Sequence, residues 1–410
     1  MPWPTATWAE LAAGGEVSRP AAEPADPRVK VWWADPPDDR RGPLPANTYT
    51  TLADALDAVE PGDELHVRHD GPGELAVPPL AFDRPGLKLT VRPVPANPGG
   101  PGDAGPGPGP VGPRILTPPA DAALVRVADG DLTLDGFGVR VAAPGRSLDG
   151  RTAAAAPAVS GGRVTLTNCT ITLDAPPGSL RLSAVRVDPE SDGGRAVAVG
   201  VRLENTLVRG VGRGVWVPAA RACELALTDT VVAVAGPVLA VGPAATSVRP
   251  SDPPVRATLS RATLALAGPV LDVRAGAGGP WVSVDADRCV FAPVGPAGPL
   301  VAVAGADPDR AVVWAAPHPT NWYANRPAAA PYLTAAPADG PRRTWDADPW
   351  FGFTRERAEL AVRRVTFRRW PSDPAGMASV EPGDFAVVTT DPPDAEPSAA
   401  GARTDQIARP

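Results

Sequence analysis

Apolar and polar positions alternate along this chain in short strand pairs, and the pair recurs. The repeating unit has two apolar residues at period two, a polar corner, then a small residue followed two positions later by another apolar one. One copy places Leu132 and Leu134 before the corner Asp135-Gly136, with Phe137 and Val139 after it. The next three run Val164, Leu166, Thr167-Asn168, Cys169, Ile171; Val201, Leu203, Glu204-Asn205, Thr206, Val208; and Leu225, Leu227, Thr228-Asp229, Thr230, Val232. A weaker copy holds Ala257, Leu259, Ala262 and Leu264, and a last one, Val282 to Phe291, reads as carrying two extra turn residues. Period-two alternation predicts half-buried strands. One such pair cannot bury its own apolar face, so the copies must stack, as in a solenoid.

A short apolar run supplies a further strand, the first of a rung, at 123–127, 184–187, 214–217, 238–241, 270–273 and 300–303, which makes three strands per rung. The corner between second and third strands ends in Gly136, Asn168, Asn205 or Asp229 in four copies of six, residue types that tolerate left-handed backbone. The return to the next rung is Gly-Pro three times, at 236–237, 268–269 and 298–299. The connection from first to second strand varies, from Gly161-Gly162 to the long segments Asp188–Val199 and Gly242–Pro254. Insertions of this kind gather on one face of a repeat protein, often its binding face.

Outside the repeats the pattern divides the chain further. Residues 1–28 are expected to be a loosely held tail. The stretch 29–122 holds an N-terminal cap and first rungs, interrupted by a Pro/Gly-rich loop at 95–113 expected to be disordered. Within it Thr51 caps a helix whose stripe is Leu52, Ala55, Leu56 and Val59, ended by Pro61-Gly62. Regular rungs occupy 123–303. Residues 304–410 are a C-terminal cap and terminal rung, crowded with Trp314, Trp322, Tyr323, Trp345, Trp350, Phe351 and Phe353. A solenoid end exposes its core, so such rings plug it; the competing reading is a carbohydrate-stacking platform.

Composition narrows the function classes. A formal charge of -7 argues against a phosphate-tracking surface, so no nucleic-acid partner is expected. Pro and Gly make up 97 of 410 residues, in keeping with a turn-dense all-β chain. No apolar run reaches the length of a membrane-spanning helix, and Met1-Pro2-Trp3-Pro4 does not read as a signal peptide, so a cytoplasmic location is the default expectation. Cys169, Cys223 and Cys289 cannot all pair internally and read as small buried residues. A monomer without cofactor is expected.

Candidate chemistry sits on the outward positions of the first strand, which alternation assigns to Arg126, Ala158, Arg186, Trp216, Ala240, Asp272 and Ala302. Arg126, Arg186, Trp216 and Asp272 are the candidate ligand-binding residues. Arg186 and Trp216 fall on neighbouring rungs, where an indole beside a guanidinium suits a sugar ring or an acidic segment. Asp272 has no second carboxylate in that row, whereas a glycosidase needs a pair about 5–10 Å apart. Acidic pairs such as Asp285/Asp287 and Asp346/Asp348 read as solvated turns, and His66 and His69 fall on opposite strand faces, so no metal site is assigned.

The stretch from Thr51 through Asp63 to Arg68, a helix and a Pro-Gly-Asp turn leading into a strand, resembles the opening of pectin-lyase-like proteins. Leu166, Asn168, Cys169 and Ile171 resemble a rung of the same class, and Asp384 to Val387 with Gly401-Ala402 loosely resemble its terminal rung. The chain is also similar to β-helix modules of large bacterial multidomain proteins, some with a kinase domain upstream, though no kinase element is present. The resemblance implies an all-β fold, a right-handed parallel β-helix with an N-terminal helix cap and an aromatic-rich C-terminal cap. The expected function is a non-catalytic scaffold or binding module that presents a strand face and variable loops to a glycan or protein partner. The alternative is a polysaccharide lyase or glycoside hydrolase working on that face.

Overall fold

Each strand of the repeat region hydrogen-bonds in parallel to the strand three further along the chain, not to its sequence neighbour. The structure is a computed structural model describing residues 28–34, 36, 43–69, 74–94, 114–116, 123–143, 154–189, 199–243, 255–274, 282–316, 321–391 and 400–407. The predicted tail, the Pro/Gly loop and most of the two long connections lie outside the described residues. The strands form three columns of a stacked, all-β architecture. The first column runs from Ala154–Val159 to Leu333–Ala336, the second from Arg163–Thr167 to Val312–Ala315, and the third from Thr170–Asp174 to Trp322–Ala324. Two earlier strands, Leu80–Pro93 and Ala123–Asp135, pass through the first and second columns without a break.

The registers explain why the alternation is legible. Leu89, Leu132, Val164, Val201, Leu225, Ala257 and Val284 stand side by side on successive rungs, all buried. The last copy needs no extra turn residues. Its apolar pair is Val284 and Ala286, which align with Ala257 and Leu259, and its corner is Asp287-Arg288. Ala286 is small enough to read as a turn residue, and read so it stretches the motif by two residues.

The corner before the third column is left-handed in all six copies, with φ of +81° at Gly136, +53° at Asn168, +47° at Asn205, +48° at Asp229, +49° at Arg261 and +53° at Arg288. Two arginines thus hold a conformation that L residues avoid. Arg261 is held there by a fork on Asp229 of the preceding rung, 2.7 Å from Nε to Oδ1. Asn168 uses the same device, its amide donating to Asp135 at 2.8 Å. The turn from first to second column needs glycine for space as well. A Cβ on Gly162 would lie 2.1 Å from the Gly130 carbonyl oxygen.

The residue after the corner points inward and ties consecutive rungs. Thr206 donates its hydroxyl to Leu166 O at 3.1 Å, and Thr230 to Leu203 O at 3.0 Å. Cys169 does the same with its thiol toward Leu134 O at 3.3 Å. Cys169 is therefore a weak donor in a ladder and not only apolar filler, whereas the Cys289 thiol points to the Asp287 carbonyl of its own rung at 3.4 Å.

Both ends are closed. At the N-terminal end helix Leu52–Asp57 is capped by Thr51, which accepts from the Asp54 amide at 3.1 Å, and buries Ala55, with Val59 buried just beyond its end. Regular pairing continues past residue 303 by a further rung, Val301–Ala304, Val312–Ala315 and Trp322–Ala324, before Leu333–Ala336 ends the first column. Trp314, Tyr323, Trp350 and Phe351 are buried against one another in the cap, with Trp314 and Trp350 centroids 5.2 Å apart. These rings are core, which removes them as a sugar platform. The chain then folds back along the outer side of the third column, where Met377, Val380, Phe385 and Ile407 cover Leu207, Val231, Ala233 and Ala265.

All three thiols are buried, and burial pushes each up to about 12. They are expected to resist alkylation in the native protein and to react on unfolding, which mass spectrometry will read. Cys169→Ser is expected to change stability by no more than about 1 kcal/mol in a denaturant titration, because a hydroxyl there can bond as Thr206 and Thr230 do.

Candidate functional site

The stacked strands present three outward faces, and the first carries the residues picked out by alternation. Ala81, Arg126, Ala158, Arg186, Trp216, Ala240, Asp272 and Ala302 form one continuous row across the rungs. Arg126 is exposed at the N-terminal end of the row, two rungs from Arg186. Arg186 and Trp216 are adjacent, but Arg186 is only 6% exposed, and its Nε and terminal nitrogen lie 2.5 and 3.0 Å from the Asp188 carboxylate. Arg221 pins the same corner by donating to Ser160 O at 2.8 Å and Asp188 O at 2.9 Å. Arg186 is therefore part of the scaffold's own wiring.

Trp216 has a different cationic neighbour. The Arg213 guanidinium carbon lies 4.9 Å from the indole centroid, and Asp272, two rungs on, is 3.9 Å from Arg274. Burial and the charge of Arg274 lower the pKa of Arg213 while Asp272 raises it, so all three charges share one neighbourhood around the small Ala240. The row thus brings together Trp216 and Asp272, with Arg213 and Arg274 added, and leaves Arg126 apart. Arg274 was within reach of sequence reasoning, since it lies two residues after Asp272 on the same face. Arg213 was not. Strict alternation puts it inward with Val215, but the ladder beside Gly214 is interrupted: Ser183 pairs with Arg213 and Val185 with Val215, without a pair between them.

The second face holds a groove of about 430 Å³ whose floor is Gly200 and Ala226 and whose walls include Arg163, Arg202, Glu224 and Arg256. A groove of about 260 Å³ on the third face is lined by Arg140, Thr172, Asp174 and Arg209. Its cations are already used: Arg140 bonds Asp174, and Arg209 donates to Val380 O at 2.6 Å, clamping the returning C-terminal segment.

A buried polar cluster sits where the second corner meets the C-terminal cap. Asn321 occupies the slot of Cys289 on the next rung. Its Oδ1 accepts from the Cys289 amide, and its Nδ2 donates to Ala286 O and to Glu356, all at 2.9 Å. The Tyr323 hydroxyl donates to the other Glu356 oxygen at 2.5 Å. Burial lifts the Glu356 carboxyl above its usual range, against the hydrogen bonds from Tyr323 and Asn321 that lower it. The cluster joins the last rung to the cap. Among the described residues no group of three or more His, Cys, Asp or Glu is placed to hold a metal ion, and no helix is long and apolar enough to cross a membrane.

No protein-family model matches the chain, and neither a curated protein nor a solved structure matches it. The class that the geometry defines is an all-β chain of stacked parallel strands with its chemistry on outward rows.

Because its pKa is raised in the folded state, Glu356 contributes most to stability below the ordinary carboxylate range, and that contribution falls as pH rises through the raised value. Glu356→Gln mimics the protonated form. Relative to it, the parent is expected to lose stability in denaturant titrations as pH rises from the ordinary carboxylate range through the raised value. Glu356→Ala is expected to cost about 1–3 kcal/mol throughout, because it strips Asn321 and Tyr323 of a partner.

Proposed function

We propose that the chain is a non-catalytic binding module whose coil is a right-handed parallel β-helix of the pectin-lyase-like class. Parallel strands joined by crossovers are right-handed in about 98% of cases, which supports the hand. The Leu-x-Asn-Cys-x-Ile rung, with its left-handed Asn168 and inward Cys169, supports the class. The observation that carries the binding reading is Trp216, a half-buried indole on an outward strand row with Arg213 against its ring and Asp272 two rungs away. An aromatic plane with guanidinium donors and a carboxylate acceptor beside it suits a sugar ring, stacked on the indole and hydrogen-bonded at its edge. The long connections from first to second strands begin at the same edge of this face, after Val187 and Val241, and insertions gathered on one face of a repeat protein often mark its binding side.

Asp272 is the lone carboxylate of its row, so a two-carboxylate hydrolytic mechanism has no partner there. On a glycan array the native protein is expected to retain a discrete set of oligosaccharides without cleaving them. Trp216→Ala is expected to lose about 5- to 150-fold in affinity, as for truncation of an aromatic anchor costing about 1–3 kcal/mol. Cleavage that disappears in Asp272→Asn would instead establish the enzymatic alternative, and retention unchanged in Trp216→Ala and Arg213→Ala would place the site elsewhere.

A further inference from the structure

The second face carries a charge pattern that is complementary to itself. Its first outward row reads Asp131, Arg163, Gly200, Glu224 and Arg256 on five successive rungs. Counted from Gly200, Arg163 and Glu224 lie one rung to either side with opposite charge, and Asp131 and Arg256 lie two rungs to either side, again opposite. A row four residues along repeats the relation further out, with Arg92 three rungs before Glu204 and Asp287 three rungs after it; within one copy Arg92 also meets Glu64 and Asp135, and Asp287 meets Arg288. We propose that this face docks on a second copy of the chain, the two sheets meeting about a two-fold axis that runs along the strand direction over the Gly200 rung.

Such an axis reverses the order of rungs but keeps the rows. Arg163 of one copy then faces Glu224 of the other, Asp131 faces Arg256, and Arg92 faces Asp287, each contact occurring twice, as an isologous interface requires. On the axis itself Arg202 and Glu204 meet their own counterparts. They form an ion pair at 2.6 Å within each copy, so two neutral pairs meet and no uncompensated like charges. Gly200 and Ala226 form the floor of the groove, and the Arg163 side chain lies over Gly200, where a Cβ would come within 3.0 Å of its Nε. Arg163 and Glu224 are exposed. With about 4.8 Å between rungs and about 3.4 Å per residue, the seven rungs and three rows involved cover roughly 500–700 Å² on each copy. That sits at the low end of specific interfaces, so the dimer should be weak and salt-sensitive. This docking goes beyond the glycan-binding reading and uses a different face, in place of the monomer expected from the sequence.

Sedimentation velocity on the full chain is the test. The parent is expected to show a concentration-dependent monomer–dimer equilibrium at about 20 mM salt that dissociates at 1 M, where the Debye length is about 3 Å. Arg163→Glu and Glu224→Arg, each altering two symmetric contacts, are each expected to weaken association at least about tenfold. The two single variants mixed together should form a heterodimer, because every altered charge then meets its opposite, and the double variant should recover self-association. Far-UV spectra identical to the parent's establish that the variants fold. A parent that stays monomeric at low salt and high concentration overturns the proposal. So do single variants that associate like the parent, or a mixture that fails to pair.

Discussion

The structure depends on one constraint: in the repeat region each strand's backbone hydrogen bonds lie in the neighbouring rung. An orphaned backbone amide or carbonyl in a buried position costs about as much as a lost hydrogen bond, so the stacking must stay in register along the coil. This is why the second corner bends through a left-handed residue in every copy, even where that residue is Arg261 or Arg288. A corner in any other conformation would shift the third strand out of line with its neighbours and break two ladders at once. The ladder of Thr206, Thr230 and Cys169 donors on the inner side of that corner bonds each bend to the rung before it.

A stack has ends, and the same constraint explains how they are treated. Among the described residues, a capped helix of six residues covers the N-terminal end. The other end is larger and mostly aromatic, because the last rungs expose a wide cross-section. Large rings such as Tyr323 and Trp350 fill it with few side chains. Asn321 is the point of contact between repeat and cap. It takes the inward slot that holds Thr or Cys in earlier rungs, and its amide reaches both back to Ala286 and forward to Glu356. Burying a carboxylate there is costly unless it is hydrogen-bonded, and Tyr323 and Asn321 supply those bonds.

Most of this architecture was legible in the sequence, for a physical reason. Inward positions are under the same packing demand on every rung, so Leu166, Leu203 and Leu227 repeat as a visible pattern and give the register. The pattern misled where a small residue filled a core slot, as at Ala286, and it missed left-handed corners made by arginine, which has no intrinsic taste for them. It also stopped at residue 303, because Trp314 and Tyr323 fill the same slots with a different class of side chain. Outward positions carry no shared demand. The row through Arg186, Trp216 and Asp272 could be placed by counting, but its contacts could not: Arg186 turned to Asp188, and Arg213 reached Trp216 through a break in the ladder.

The same separation of inside from outside shapes what the faces can do. The third face is consumed by the returning C-terminal segment, whose apolar residues cover Val231, Ala233 and Ala265, with Arg209 as a clamp at its margin. The first face is partly committed, since Arg186 and Arg221 secure the corner at Ser160 and Asp188 while Trp216 and Arg213 remain at the surface. The second face keeps its charged residues exposed over several rungs. Parallel strands about 4.8 Å apart turn such a face into a lattice, on which one row can hold charges at regular intervals. A lattice with opposite charges at equal distances from a glycine selects its partner by the order of those charges. In a coil whose core tolerates almost any outward residue, that order can be set without disturbing the fold.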